Sequence, residues 1–291
     1  MESTSPPTER VIRILQLLAN RPNEAFSLSD LVRHLELTRA TGHVIASSLC
    51  RAGYLVRHPL TKTFSLGPAL ITIGQAAERA HPEIVHACRE IQRLDRGPGT
   101  GWSVSTLIGD EIIVLARSDT SAGEESTPRT GERIPFVPPY GSSFVAWAGE
   151  KEVDAWLSRA HPNTPAPEIE GYRKRLHFLR QHGYGVERLA ETQVRLRQIL
   201  IELQSESLAT DLEAQVSRLA LALQHRDSQD ESDASGPVSE IFVPISSRQI
   251  TLSLHFHRRQ LGEKEIAVFA RRLLRAARRV SEEFNVAAAG A

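Results

Sequence analysis

The chain has 291 residues, with 35 basic and 35 acidic side chains and no net formal charge. That length exceeds an ordinary single domain and points to two. Two cysteines exclude a disulfide framework or a cysteine-built zinc centre and fit a reducing compartment. No apolar run approaches the roughly 20 residues needed to span a bilayer. The first ten residues, MESTSPPTER, are too polar and Pro-rich for a signal peptide. The expectation is a soluble cytoplasmic protein.

Residues 1–7 read as disordered. An amphipathic helix follows, with Val11, Ile14, Leu15, Leu17 and Leu18 on one side. Residues 28–47 then read as two short helices joined by a tight turn. Leu28, Leu31, Val32 and Leu35 form the apolar face of the first. Glu36, Leu37 and Thr38 break the pattern. Thr38 can cap the second, whose apolar face is read as Val44, Ile45, Leu49 and Cys50. AGYLVRHPLTKTFSLG supplies two short β-like runs around His58 to Lys62. Helix, helix-turn-helix, β-ribbon is the order of a winged helix, although three core helices and a hairpin would give the same pattern. Between Arg33 and Lys62 the bases are Arg33, Arg39, Arg51, Arg57 and Lys62, against the single acid Glu36. A neutral chain with one basic segment suits a nucleic-acid-binding module joined to a second domain.

Three stretches here, ERVIRILQLLAN, FSLSDLVRHLELTRATGHVIASSLCRAGYLVRH and FSLGPALITIGQAA, resemble the IclR family of bacterial transcriptional regulators. TGERIPFVPPYGSSFVAWA, LHFLRQHGYGVERLAE and the stretch from Val238 to Phe284 resemble parts of that family's effector domain. The chain departs from the family at Val44, where an Arg is common, at Gly141-Ser142, where Gly-Lys is common, and in VSEIFVPI, which has no Cys. The resemblance implies an α+β protein. Residues 1–69 would be a winged helix-turn-helix domain, 70–96 connecting helices, and 97–291 a GAF-like α/β domain for effector binding and oligomerisation. It also implies that Thr38, Arg39, Thr41 and His43 on the recognition helix, with His58 and Lys62 on the wing, contact duplex DNA. A homodimer or dimer of dimers would match two operator half-sites.

After Gly67 the reading continues with a helix carrying Leu70, Ile73 and Ala77 on one side, the expected dimer surface. A second helix begins at Pro82, with Ile84, Val85, Cys88, Ile91 and Leu94. WSVSTLIG and EIIVLARS flank Gly109-Asp110 as a hairpin. Ile134 to Tyr140 carries three prolines, so it cannot be a central strand. A helix or turn begins at Gly141, and Glu150 to Arg159 is helical. HPNTPAPEIEG reads as a loop, and Tyr172 to His182 as a helix ended by Gly183. Leucines and isoleucines recurring over 189–226 suggest an inserted helical hairpin, serving as extra packing or as a dimer contact. A charged Ser-rich loop follows. EIFVPI and QITLSLHF read as paired strands, and Glu263 to Phe284 as a closing amphipathic helix.

Catalytic signatures do not emerge: there is no G-x-S-x-G, P-loop or H-E-x-x-H, and GPGTGW lacks the last glycine of a dinucleotide motif. No cofactor is expected. HPEIVH sets His81, Glu83 and His86 close on one helix, a weak metal candidate. His255 and His257 alternate on one strand face and read as a surface pair. For a ligand, family resemblance places a pocket between the segment after Pro139 and the sheet. Its wall would be Tyr140, Gly141, Ser142, Ser143 and Trp147, facing Ser103 and Ser105. A helix start and serine hydroxyls would suit a small organic acid. A sensing regulator, a regulator without a ligand and an enzyme with a helical extension all remain open at this point; the first accommodates most of the motifs.

Overall fold

The computed structural model describes residues 5–21, 23–94, 99–118, 130–160, 164, 166–188, 237–245 and 249–289. The inserted helices expected over 189–226 and the charged loop after them lie outside these residues. The chain divides into two compact units, the first ending at His81 and the second beginning at Pro82.

The first unit runs α1 (Pro6–Asn20), α2 (Leu28–His34), α3 (Arg39–Arg51), β1 (Leu55–Arg57), β2 (Phe64–Leu66) and α4 (Ala69–Ala80). Pro6 and Pro7 sit in the first turn of α1, where a missing N–H costs nothing, so residues expected to be disordered begin a helix. Ser27 and Asp30 close a reciprocal capping box on α2: Ser27 Oγ accepts from the Asp30 N–H at 3.2 Å, and the Asp30 carboxylate accepts from the Ser27 N–H at 2.9 Å. Thr38 caps α3, as its position suggests, by accepting from the Thr41 N–H at 3.2 Å. Ile14, Leu18, Phe26, Leu31, Leu35, Ala46, Leu49, Leu55 and Phe64 form the core. Gly42 is the point of closest helix approach, since a Cβ there would lie 2.8 Å from Val32 Cγ2. The buried residues of α3 are therefore Gly42, Ala46 and Leu49. Val44, expected on the apolar face, is instead 64% exposed. β1 and β2 pair antiparallel with Leu55 opposite Leu66. Helix α4 has no buried residue.

In the second unit, α5 (Pro82–Gln92) precedes β3 (Thr100–Ile108), β4 (Glu111–Arg117) and β5 (Arg133–Pro135). Then come α6 (Ser142–Val145), α7 (Glu150–Leu157), α8 (Ala166–His182), β6 (Gly185–Arg188), β7 (Val238–Pro244), β8 (Ile250–Arg259) and α9 (Glu263–Ala289). The strands form one six-stranded sheet in the order β5-β4-β3-β8-β7-β6, and every neighbouring pair is antiparallel. Proline-rich β5 occupies an edge, where a missing donor is harmless. Helix α8 starts six residues earlier than Tyr172, because Pro167 falls in its first turn. The short strand β6, not expected from the sequence, closes the other edge.

Side chains alternate across this sheet, so each strand faces two layers. Trp102, Val104, Ile241, Val243, Leu252, Leu254 and Phe256 point to one side and pack with α5 and α9 through Ile91, Phe269, Leu273 and Val280. Buried Glu90 on α5 sits in that layer, bonded to Arg93 at 2.8 Å and to Arg279 of α9. Burial opposes ionisation of Glu90, but Arg279 and Arg93 outweigh it and hold the carboxyl below the usual carboxylate range. On the other side Phe242 packs with Val145, Trp156, Tyr172 and Leu176 from α6, α7 and α8.

Candidate functional site

Two surfaces carry side chains that the core does not need. The first is the outer face of α3. Arg39 and His43 are exposed, one turn apart, and Thr41 is half-buried behind them. Thr38 spends its hydroxyl on the cap and on Thr41 Oγ1, at 2.8 Å, so it sets the start of the helix rather than reaching outward. The β1–β2 turn lies nearby in sequence. His58 Nδ1 accepts from the N–H groups of Leu60 and Thr61 at 3.3 and 3.2 Å, which leaves Nε2 as the outward nitrogen. Lys62 has a left-handed backbone, φ 60°, and its ammonium donates to the Pro59 carbonyl at 2.6 Å. An ammonium has three donors, so a phosphate can still be met. Arg57, one of the bases of this segment, is exposed beside the turn with its guanidinium 5.6 Å from the Phe64 ring centroid.

The second surface is internal. The sheet face toward α6–α8 is lined by hydroxyls where a core would carry valines: Ser103, Ser105, Thr251 and Ser253 are all buried. With Ser142 and Ser143 they enclose a cavity of about 100 Å³ whose apolar wall includes Ile112, Val114, Ile134 and Phe144. Tyr140, Gly141, Ser142, Ser143, Ser103 and Ser105 all line it, so the structure brings these expected residues together. Trp147 does not line it. It packs, half-buried, against the α6–α8 core, because it lies beyond the single turn of α6.

That turn is rigidly placed. Gly141 has φ 88°, and a Cβ there would sit 2.4 Å from the Phe136 ring, so only glycine fits. Trp156 Nε1 donates to the Tyr140 carbonyl at 3.0 Å, and the Arg180 guanidinium donates to the Ala146 carbonyl. Helix α6 has only four residues, however, so the expected pull of a helix dipole on an anion is weak here. The polar groups of the cavity are side chains instead. Thr251 Oγ1 donates to Ser143 Oγ at 2.8 Å.

His255, expected on the surface, is 3% exposed and lines the cavity, with Nε2 2.7 Å from Ser103 Oγ. The helices covering this face make an alternating strand that looks half-exposed into a buried one. Glu240 stands opposite His255 across β7 and β8, and Glu187 stands opposite Glu240 across β6 and β7. Both glutamates line the cavity. The cavity therefore has two ends: hydroxyls of Ser142, Ser143 and Thr251 at one, and Glu187, Glu240 and His255 at the other, about 13 Å apart along β8. Among the described residues no Lys or Arg lines it.

The remaining candidate, HPEIVH, does not gather. His86 pairs with Glu283 on α9, and among the described residues no three His, Cys, Asp or Glu side chains converge on a metal position. Among the same residues no helix is long and apolar enough to cross a membrane.

Residues 7–59 match the IclR helix-turn-helix domain. The chain is 24% identical over 184 residues to the HTH-type transcriptional regulator XynR of Escherichia coli K12, across 62% of this chain and 73% of that protein. It is similar in fold to an IclR transcriptional regulator from Alicyclobacillus acidocaldarius, with TM-score 0.64 and 18% identity over 96% of this chain and 99% of that one. An IclR homolog from Microbacterium hydrocarbonoxydans, solved in complex with 4-hydroxybenzoate, gives TM-score 0.61 and 19% identity over 96% and 99% of the two chains.

Proposed function

We propose that the chain, whose residues 7–59 match the IclR helix-turn-helix domain, is a cytoplasmic transcriptional regulator of the IclR type that reads operator DNA through α3 and answers to a small organic acid. In this reading residues 1–69 are the DNA-binding domain, 70–96 connect, and 97–291 hold the effector. Arg39, Thr41 and His43 face the major groove. His58 and Lys62 meet the backbone, and Thr38 fixes the helix start. The observation that carries the reading is the capped α3 whose buried stripe is Gly42, Ala46 and Leu49, leaving Arg39 and His43 free of any packing duty. Two half-sites about one helical turn apart require a two-fold partner. Helix α4, which buries nothing and exposes Ile73 at 47%, is the surface for it, through Leu70, Ile73 and Ala77.

The cavity chemistry narrows the effector. A carboxylate suits the end with Ser142, Ser143 and Thr251, where hydroxyls donate. It does not suit the end with Glu187 and Glu240, where a hydroxyl of the same molecule would be the better partner. An apolar body fits against Ile112, Val114 and Ile134. The effector class is therefore a hydroxylated organic acid, the class to which the ligand of the Microbacterium homolog belongs. The chain acts as a regulator and not as an enzyme. Selection of duplexes from a random pool by the full chain, followed by anisotropy titration, tests the DNA reading. Arg39→Ala should lose about 1–3 kcal/mol on the selected site, and binding like wild type would refute it. A thermal-shift series of hydroxylated acids against their unhydroxylated parents tests the effector. Larger shifts for the hydroxylated members support it, and equal shifts argue against the assigned ends. Bulky apolar residues at 142 and 143 should abolish the response and leave DNA binding intact.

A further inference from the structure

Val44 is the odd residue on the reading face of α3. It is 64% exposed, and it follows directly on His43 and lies one turn after exposed Ala40, with exposed Ser47 and Ser48 after it. Val44 is not part of the packed core: α3 meets the core through Gly42, Ile45, Ala46, Leu49 and Cys50. Single exposed apolar residues are ordinary on protein surfaces, so exposure alone would mean little. Its position adds a second fact. At about 100° per residue Val44 lies on the side of α3 opposite Gly42, Ala46 and Leu49, beside exposed Ala40 and Ser47 and about 100° round from His43, so a duplex laid against the exposed face from His43 to Ser47 also meets Val44. A valine has no donor or acceptor and cannot serve a phosphate or a polar base edge. The one apolar feature of the major groove is the C5-methyl group of thymine. Helical valine also holds one side-chain rotamer almost exclusively, so its methyl groups have a fixed position at little entropic cost.

We propose that Val44 is a specificity residue that reads a thymine methyl group in each half-site, with Ala40 extending the apolar stripe. This rests on α3 being the recognition helix. Binding sites are first selected from random duplexes by the full chain. Each thymine of the selected site is then replaced by deoxyuracil, which removes the methyl group and leaves every hydrogen-bonding edge unchanged. One thymine per half-site should cost the wild type about fourfold in affinity when replaced, the value of one buried methyl group. Val44→Ala should bind the thymine site about as weakly as wild type binds the uracil site and should be indifferent to the replacement. Its melting temperature should match wild type. Equal uracil sensitivity in wild type and Val44→Ala at every position would overturn the assignment while leaving α3 as the reading helix. Failure to enrich any site would overturn both.

Discussion

The outer face of α3 and the polar face of the six-stranded sheet use similar side chains in opposite settings. On α3 the polar residues stand outside a completed core, and solvent surrounds them. On the sheet, Ser103, Ser105, Thr251, Ser253 and His255 are the inner layer, covered by α6–α8. The difference sets how function and stability are coupled. In the proposed reading, substitutions on the α3 face remove recognition without unfolding anything. Substitutions around the cavity disturb packing and ligand chemistry together, since each buried hydroxyl needs a partner.

The largest effect should come from the covered region. Gly141→Val places a Cβ into the Phe136 ring at a positive φ and should destabilise the second unit by about 2–4 kcal/mol in denaturant unfolding. An unchanged midpoint would mean the turn can move, which would soften the contrast. Next, Glu90→Ala leaves Arg279 without its buried carboxylate and should cost about 1–3 kcal/mol, discounted because the arginines remain half in water. The ionised form of Glu90 is favoured in the fold, so its contribution is present above the unfolded value of about 4.3 and disappears as pH falls through the lower folded value. The variant should therefore lose stability at neutral pH and converge on wild type in acid. A constant gap across that range would contradict the ion-pair account.

In the first unit, Ser27→Ala removes one half of the α2 capping box and should cost about 1 kcal/mol, read from the thermal transition of the full chain. The smallest effect belongs to the wing. Lys62→Ala should leave stability unchanged within about 0.5 kcal/mol and lower the salt slope of DNA binding by about one. A changed sequence preference at constant slope would move Lys62 from the backbone to the bases.

Local features were legible in the sequence. Thr38 announces the start of α3 because capping depends only on residues three apart, and Gly109-Asp110 announces its hairpin for the same reason. What failed depended on neighbours distant in sequence. Val44 reads as core because it is strongly apolar, whereas the close α2–α3 approach selects the small stripe of Gly42 and Ala46. Thr251, Ser253 and His255 alternate like a solvent-facing edge, and nothing local reports that three helices cover them. Glu187 was missed with its strand, which at four residues is too short to show a period.

The central claim is that α3 occupies the major groove, and methylation interference on the selected site tests it most directly. Methyl groups at guanine N7 lie in the major groove, and those at adenine N3 lie in the minor groove. The account predicts interference at guanine N7 in two clusters about 10 base pairs apart, centre to centre. Interference confined to adenine N3, or undiminished binding to fully methylated duplex, would contradict it.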